Sequence, residues 1–260
     1  MSGQLTGRRI LASSAGCLGL LLLAALVALM LLGLRGQAGA APPLAVTAPA
    51  LTEVATPGGD ARTPAATSPS TVALALREHF DRPADSGFAI RDDEVARYAF
   101  EQGGYTITVK APETVVWTLA GGRYNNVAVS VDAAVPPGYG RAAAGVIFHY
   151  QDDSNFYLFQ VSSAGYYALE LVAADQLTTL IDWTQSDAID GAANLLGVET
   201  SGDRIALYVN GRRLEETRDT SFTHGDVGIA ASSFVETDAA IRFDNLTILT
   251  RHSSLGYDAP

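Results

Sequence analysis

The chain changes its hydrophobic rhythm twice. Ile10 to Leu34 is an unbroken apolar run without a charged residue, centred on Leu18-Gly-Leu-Leu-Leu-Leu-Ala-Ala-Leu-Val-Ala-Leu-Met-Leu-Leu32. At about 1.5 Å per residue, such a run reaches across a hydrocarbon core with some tilt. Residues 35–73 then lose both apolar periodicity and aromatic side chains, and Ala, Pro, Thr and Gly dominate. That composition offers too little apolar surface to offset ordering entropy and predicts a semi-rigid linker. From residue 74 to 250 the pattern becomes two-fold. Val127, Val129 and Val131 alternate with Ala128, Ser130 and Asp132, and Ile205, Leu207 and Val209 alternate with Ala206 and Tyr208. Alternation of this kind predicts strands with one buried face, and Val129 and Leu207 are expected to enter one core from opposite sides. Further strands are predicted at Tyr105–Val109, Val115–Leu119, Gly145–Tyr150, Phe156–Ser162, Tyr166–Val172, Leu195–Thr200, Val227–Ala231 and Ala240–Leu249.

Turn chemistry separates these runs. Gln151-Asp-Asp-Ser-Asn155, Ser163-Ala-Gly165, Ser201-Gly-Asp203 and Asn210-Gly211 supply the residues that tolerate positive φ. No long amphipathic helix interrupts them, so the expected class is all-β, an antiparallel sandwich. In the last strand Ile241 and Phe243 share a parity opposite to that of Leu246 and Ile248. A β-bulge at Asp244-Asn245 is therefore expected, because one extra residue switches the inward face.

Charge adds an orientation. Residues 1–52 contribute +3, from Arg8, Arg9 and Arg35, and the remainder contributes −14, giving −11 in total. The positive flank puts residues 1–9 in the cytoplasm, makes 10–34 a signal anchor in the cell membrane, and places the C-terminal domain outside. Ala38-Gly-Ala40 offers a cleavage site, and in that alternative the domain is secreted. So acidic a domain repels phosphate backbones, which excludes nucleic acid as a partner. Cys17 is the one cysteine, so no intrachain disulfide forms. Residues 251–260 form a short tail.

The runs Gly145-Val-Ile-Phe-His-Tyr-Gln-Asp-Asp-Ser-Asn-Phe-Tyr-Leu-Phe159, Gly165-Tyr-Tyr167, Leu180-Ile-Asp-Trp183, Ile205-Ala-Leu-Tyr-Val-Asn-Gly211, Gly225-Asp-Val-Gly-Ile-Ala230 and Phe243-Asp-Asn-Leu246 resemble concanavalin A-like lectin/glucanase domains. Laminin-G-like modules and the 3-keto-disaccharide hydrolase-like domains of exported bacterial proteins are the relatives it suggests. The resemblance covers about residues 76–250. It implies a jelly-roll of two curved sheets whose concave face commonly holds glycan.

Catalytic signals are sparse. A laminarinase-type site needs paired carboxylates on one strand, and Glu236-Thr-Asp238-Ala-Ala240 has alanine where the second glutamate belongs. His79, His149, His224 and His252 lack metal-ligand spacing. The expectation is a non-catalytic module for carbohydrate, with a glycan-processing hydrolase and an ectodomain that binds an envelope protein as alternatives. Candidate ligand residues are Trp183, Tyr157, Glu170 and Asp182. Glu170 shares the parity of Ala168 and Tyr166, opposite to Leu169 and Leu171, and so is expected to face out of the core toward a groove. The acidity and the hard oxygen donors suggest structural calcium at Asp152, Asp153 and Asn155, or at Asp244.

Overall fold

The computed structural model describes residues 70–136, 138–139, 141–235 and 237–253. The predicted membrane helix, nearly all of the linker and Glu236 lie outside the described residues. The strands are β1 (Ser70–Glu78), β2 (Arg91–Asp92), β3 (Ala96–Glu101), β4 (Gly104–Val109), β5 (Thr114–Leu119), β6 (Val127–Ala134), β7 (Ala142–Asp152), β8 (Asn155–Ser162), β9 (Tyr166–Ala173), β10 (Gln176–Gln185), β11 (Ala193–Ser201), β12 (Arg204–Val209), β13 (Arg212–Arg218), β14 (Asp226–Ser233) and β15 (Ala239–Ser253). β1 begins inside the stretch read from sequence as linker.

Two antiparallel sheets result. The larger has the order β13-β12-β11-β6-β15-β4-β3-β2, with β1 also paired to β15. The smaller has the order β10-β9-β8-β7-β14-β5. Hairpin-linked runs of consecutive strands are joined by non-consecutive neighbours at β11-β6-β15-β4 and β7-β14-β5, which makes an antiparallel sandwich, as the period-two pattern and turn spacing predict, of the jelly-roll form that the resemblance implies.

Alternation sets what each strand buries. In β6, Val127, Val129, Val131 and Ala133 are buried while Ala128, Ser130, Asp132 and Ala134 are half-buried on the other face. The inward residues join Val146, Phe148, Tyr157, Phe159, Leu207, Ile229 and Phe243 in one core between the sheets. Val129 and Leu207 both reach that core, but from the same sheet, since β6, β11 and β12 are neighbours. Parity tells which face a residue takes and not which sheet carries it, so the expectation of opposite sides is corrected.

The bulge in the last strand is present. Asp244 pairs with Asp132 and Thr247 with Ser130, so β15 spends one extra residue there, and Asn245 adopts φ +51°. The shift lets Ile241 and Phe243 before it, and Leu246 and Ile248 after it, all face the core. The same strand pairs with β4 before the bulge and with β1 after it.

A candidate glycan face on the smaller sheet

The smaller sheet carries bulky residues on both faces. Its outer face holds a second buried cluster of Trp117, Ile147, Phe156, Leu158, Val172 and Ala230, with Val115, Leu119 and Tyr150 packed against it. Every described strand belongs to one of the two sheets, so none packs over this face. Register turns it into rows. One row runs Leu119, Gly228, Ile147, Leu158, Glu170, Thr179. The next runs Trp117, Ala230, Gly145, Gln160, Ala168 and ends at Asp182-Trp183. Six strands at about 4.8 Å spacing make the face roughly 24 Å wide. Its second row has small residues in the middle, Ala230, Gly145 and Ala168, and a tryptophan at each end, Trp117 fully buried and Trp183 half-buried. A Cβ on Gly145 would meet the Phe159 carbonyl at 2.9 Å, so the backbone packing itself keeps this position bare.

The edge strand β10 aims the polar groups. Ile181 pairs with Leu169 and Thr184 with Tyr167, leaving Asp182 and Trp183 together opposite Ala168. This β-bulge re-aims consecutive side chains. The Asp182 carboxylate accepts the Trp183 N–H at 2.8 Å, and the Thr184 hydroxyl donates to the Asp182 carbonyl at 2.7 Å, fixing the kink. The Trp183 ring meets the ring of Phe234, two residues beyond Ser232, edge to face at 5.5 Å. The rows between β14 and β10 therefore end in an aromatic bridge, with Ser162 and Ser232 at that end of the sheet.

A line of hydrogen bonds crosses the floor. The Ser232 hydroxyl donates to Gln160 Oε1 at 2.5 Å, and Gln160 Nε2 donates to Glu170 Oε2 at 2.9 Å. Gln160 and Ser232 are buried, and Glu170 is partly open. Burial pushes the Glu170 carboxyl up to about 7; the Gln160 bond opposes that shift and the nearby Asp182 adds to it. Asp182, opposite Ala168, is a diagonal neighbour of Glu170, a relation that puts the Cβ atoms roughly 7 Å apart. The indole N–H of Trp117 is buried without a hydrogen-bond partner. At the far end of the same face, burial pushes the Asp226 carboxyl up to about 6, against bonds from the backbone of Val227, Gly121 and Gly122.

Three of the four ligand residues expected from sequence, Glu170, Asp182 and Trp183, thus share one end of one face. Tyr157 does not. It is buried between the sheets, stacked on Phe148 at 5.1 Å, with its hydroxyl donating to Asp219. Its neighbours Phe156 and Leu158 have the outward parity. Sequence reasoning missed Gln160, Ser232 and Phe234. Gln160, a polar residue inside the bulky run Phe156–Val161, was the available signal.

The four residues expected to hold calcium are engaged in local hydrogen bonds. The Asp152 carboxylate accepts from Ser154 N and Asn155 Nδ2, both at 2.8 Å, and Asn155 Oδ1 accepts from Ala174 N at 3.0 Å. Asp153 accepts the Tyr150 hydroxyl at 2.5 Å. Asp244 lies on the other sheet, accepting from Arg242 at 3.0 Å and from Asn245 N at 2.8 Å. Among the described residues no three carboxylate, imidazole or thiol side chains converge as metal ligands. His149 is buried with its two ring nitrogens against the carbonyls of Phe222 and Asn125, a structural pin between loops.

Two shallow cavities, of about 260 and 180 Å³, open on the outer face of the larger sheet. The first is lined by Asp132, Asn194, Asn210, Arg242 and Asp244. Asn194 and Asn210 spend their amides on each other, on Asp190, Ala188 and Leu195, leaving little to offer a ligand. The face of the smaller sheet is the better candidate because Glu170, Asp182 and Trp183 there keep side chains open to solvent in part or in full.

Comparison with solved structures decides the architecture. The chain is similar to a carbohydrate-binding module of Bacillus subtilis (20% identity, 59% of this chain and 91% of that one, TM-score 0.50). It is also similar to a Bacillus subtilis protein of unknown function with a galectin-like fold (11% identity, 69% and 96%, TM-score 0.51) and to the Bacillus licheniformis β-glucanase (9% identity, 68% and 98%, TM-score 0.50). The fold is the antiparallel jelly-roll sandwich of these structures. No family model matches the chain. A 113-residue stretch is 31% identical to a TPR repeat-containing protein of Treponema pallidum (strain Nichols), covering 41% of this chain and 14% of that protein.

Proposed function

We propose that the concanavalin A-like domain is a carbohydrate-binding module, held outside the cytoplasm by the apolar segment 10–34 and the linker that follows it. The observation that carries this reading is the polar line Ser232–Gln160–Glu170, with Asp182 beside it, laid across an apolar floor and ended by the Trp183–Phe234 bridge. Ligand sites combine an apolar lining with a few converging polar groups. A pyranose needs that combination, with C–H faces on aromatic rings and hydroxyls on carboxylates and amides. The solved structures of similar fold include a carbohydrate-binding module, which supports the same ligand class.

The test is a glycan array probed with the full-length chain and with Trp183→Ala. Wild type should retain one or more oligosaccharides, and Trp183→Ala should lose about tenfold in affinity or more, in keeping with loss of an aromatic contact. An array blank for both, from protein with a cooperative unfolding transition, would remove the reading.

One observation favours a hydrolytic second reading. Glycoside hydrolysis uses one carboxyl kept protonated near neutral pH and a second carboxylate across the scissile bond. Glu170, pushed up to about 7, would be the proton donor and Asp182 its partner. Release of reducing ends from a bound oligosaccharide, abolished by Glu170→Gln, would establish hydrolysis in place of binding alone.

A further inference from the structure

We propose that β1 is a pairing edge between two copies of this chain, its stretch Ser70–Leu74 adding antiparallel to the same stretch of a second copy about a two-fold axis at Val72. An edge strand offers unpaired N–H and C=O groups to any other strand, and proteins blunt such edges with charge, shortness, bulges or cover. The other edges of this domain are blunted in these ways. β13 reads Arg-Arg-Leu-Glu-Glu-Thr-Arg. β2 has two residues. β10 is bulged on both sides of Ile181. On β5 the Trp117 carbonyl accepts the Tyr98 hydroxyl at 3.3 Å. Over Ser70–Leu74, β1 has none of these devices. It carries no charge before Arg77 and pairs regularly with Ser253–Leu249 of β15, and among the described residues no other strand pairs with it.

Register leaves apolar side chains on that edge. β1 spends one extra residue at Ala75, since Leu74 pairs with Leu249 and Leu76 with Ile248. Leu76 therefore packs against the core, while Val72 and Leu74 take the outer face of the larger sheet and are 53% and 54% exposed. With the axis at Val72, each Val72 lies opposite its copy, and each Leu74 is a diagonal neighbour of the other copy's Val72. The strand is thus its own complement, as a two-fold interface requires. Charge limits where copies can meet. The chain carries −11 overall, so contact between copies is least opposed at an uncharged edge. A strand pair with only Val72 and Leu74 from each copy falls below the roughly 1,200 Å² of stable complexes. Anchoring through residues 10–34, the reading on which this step rests, supplies what the area lacks. The linker 35–69 ends where β1 begins, and tethered copies in one membrane meet at an effective concentration of about millimolar.

The experiment places the full-length chain, with Cys17→Ser, in liposomes and follows disulfide formation between copies from single introduced cysteines, while flotation reports membrane association. Val72→Cys should cross-link at least about tenfold faster than Asp187→Cys, a site with an 86% exposed side chain away from β1. Ser70→Cys and Leu74→Cys, slow alone, should join readily when the two chains are mixed, because the axis at Val72 sets position 70 of one copy opposite position 74 of the other. Leu74→Lys added to the Val72→Cys chain should slow the cross-link several-fold, since a lysine blunts the edge, and leave the thermal unfolding midpoint unchanged. Equal rates from Val72→Cys and Asp187→Cys overturn the proposal and mark random collision. Ser70→Cys and Leu74→Cys that cross-link as fast alone as mixed overturn it as well, marking parallel or slipped pairing, as does a Leu74→Lys chain that cross-links at the unaltered rate. Chains that float without cross-linking also overturn it and leave the edge to a segment of the same chain. A chain that stays in the soluble fraction ends the anchor reading, and the same cysteine series at about millimolar protein then decides the pairing.

Discussion

Replacing Glu170 by glutamine should make the domain more stable in mildly alkaline solution and leave its stability in acid unchanged. In the fold, burial lifts this carboxyl from its ordinary 4.5 to about 7, helped by Asp182 and opposed by the Gln160 bond. Because the folded value is the higher one, the native state holds the proton more tightly than the unfolded chain. The resulting stabilisation is complete below about 4.5 and is lost as pH rises through about 7. That interval, at about 1.36 kcal/mol per pH unit, corresponds to an upper limit of roughly 3 kcal/mol lost between pH 4.5 and 8. Glu170 is partly open, so screening reduces this to about 1–3 kcal/mol. Glutamine keeps an acceptor for Gln160 Nε2 and mimics the protonated acid, so the variant escapes the loss. In a domain of this size each kcal/mol moves the midpoint by about 2–4 °C. Thermal unfolding at pH 8 should therefore place Glu170→Gln about 2–12 °C above wild type, and the two should coincide at pH 4.5. His149 acts in the opposite sense. Burial lowers its pKa despite the carbonyls of Phe222 and Asn125, so its contribution is present above about 6.5 and lost as pH falls. It is common to both proteins and cancels in the difference. A variant equal to or below wild type at pH 8 would refute the reasoning, because Glu170 would then be charged and satisfied in the native state.

Two further outcomes follow from packing and backbone geometry. Val129→Ala and Leu207→Ala, both deep in the core, should cost about 1–3 and 2–5 kcal/mol respectively by chemical denaturation, and a loss below about 0.5 kcal/mol at both sites would contradict their placement. Gly225→Ala should prevent folding or cost more than about 3 kcal/mol, because at φ +156° its Cβ would meet the backbone of His149 and Tyr150 at 2.3–2.6 Å. Gly202→Ala, at φ +61° in open space, should cost only about 1–2 kcal/mol, and equal effects of the two substitutions would refute the distinction.

Much of the fold was readable because alternation reports burial directly. The valines of β6 and the switch at Asp244-Asn245 were visible as parity, and the structure has both. The edge strands were less readable. β10 reads Gln-Leu-Thr-Thr-Leu-Ile-Asp-Trp-Thr-Gln and is mostly exposed, with register shifts on both sides of Ile181. Period two fails there because the strand is bulged, and the same bulge brings Asp182 and Trp183 to the site. Irregularity hid the strand and created the candidate site in one step.

Tyr157 shows the complementary limit. In β8, Phe156, Tyr157, Leu158 and Phe159 are all buried, Tyr157 and Phe159 in the core between the sheets and Phe156 and Leu158 among the bulky side chains of the outer face. Composition there carries no parity signal, so a tyrosine looks equally suited to core and platform. Glu170 escaped the ambiguity because leucines flank it on both sides, and a carboxylate between Leu169 and Leu171 must take the other face. The residue that separates the two faces of β8 is Gln160. An amide in that run needs partners, and only the outer face supplies them, in Ser232 and Glu170. A polar residue in a doubly apolar strand therefore marks the face that supplies polar partners. In this chain that mark, the bulge in β10 and the parity of Glu170 all indicate the same end of the same sheet.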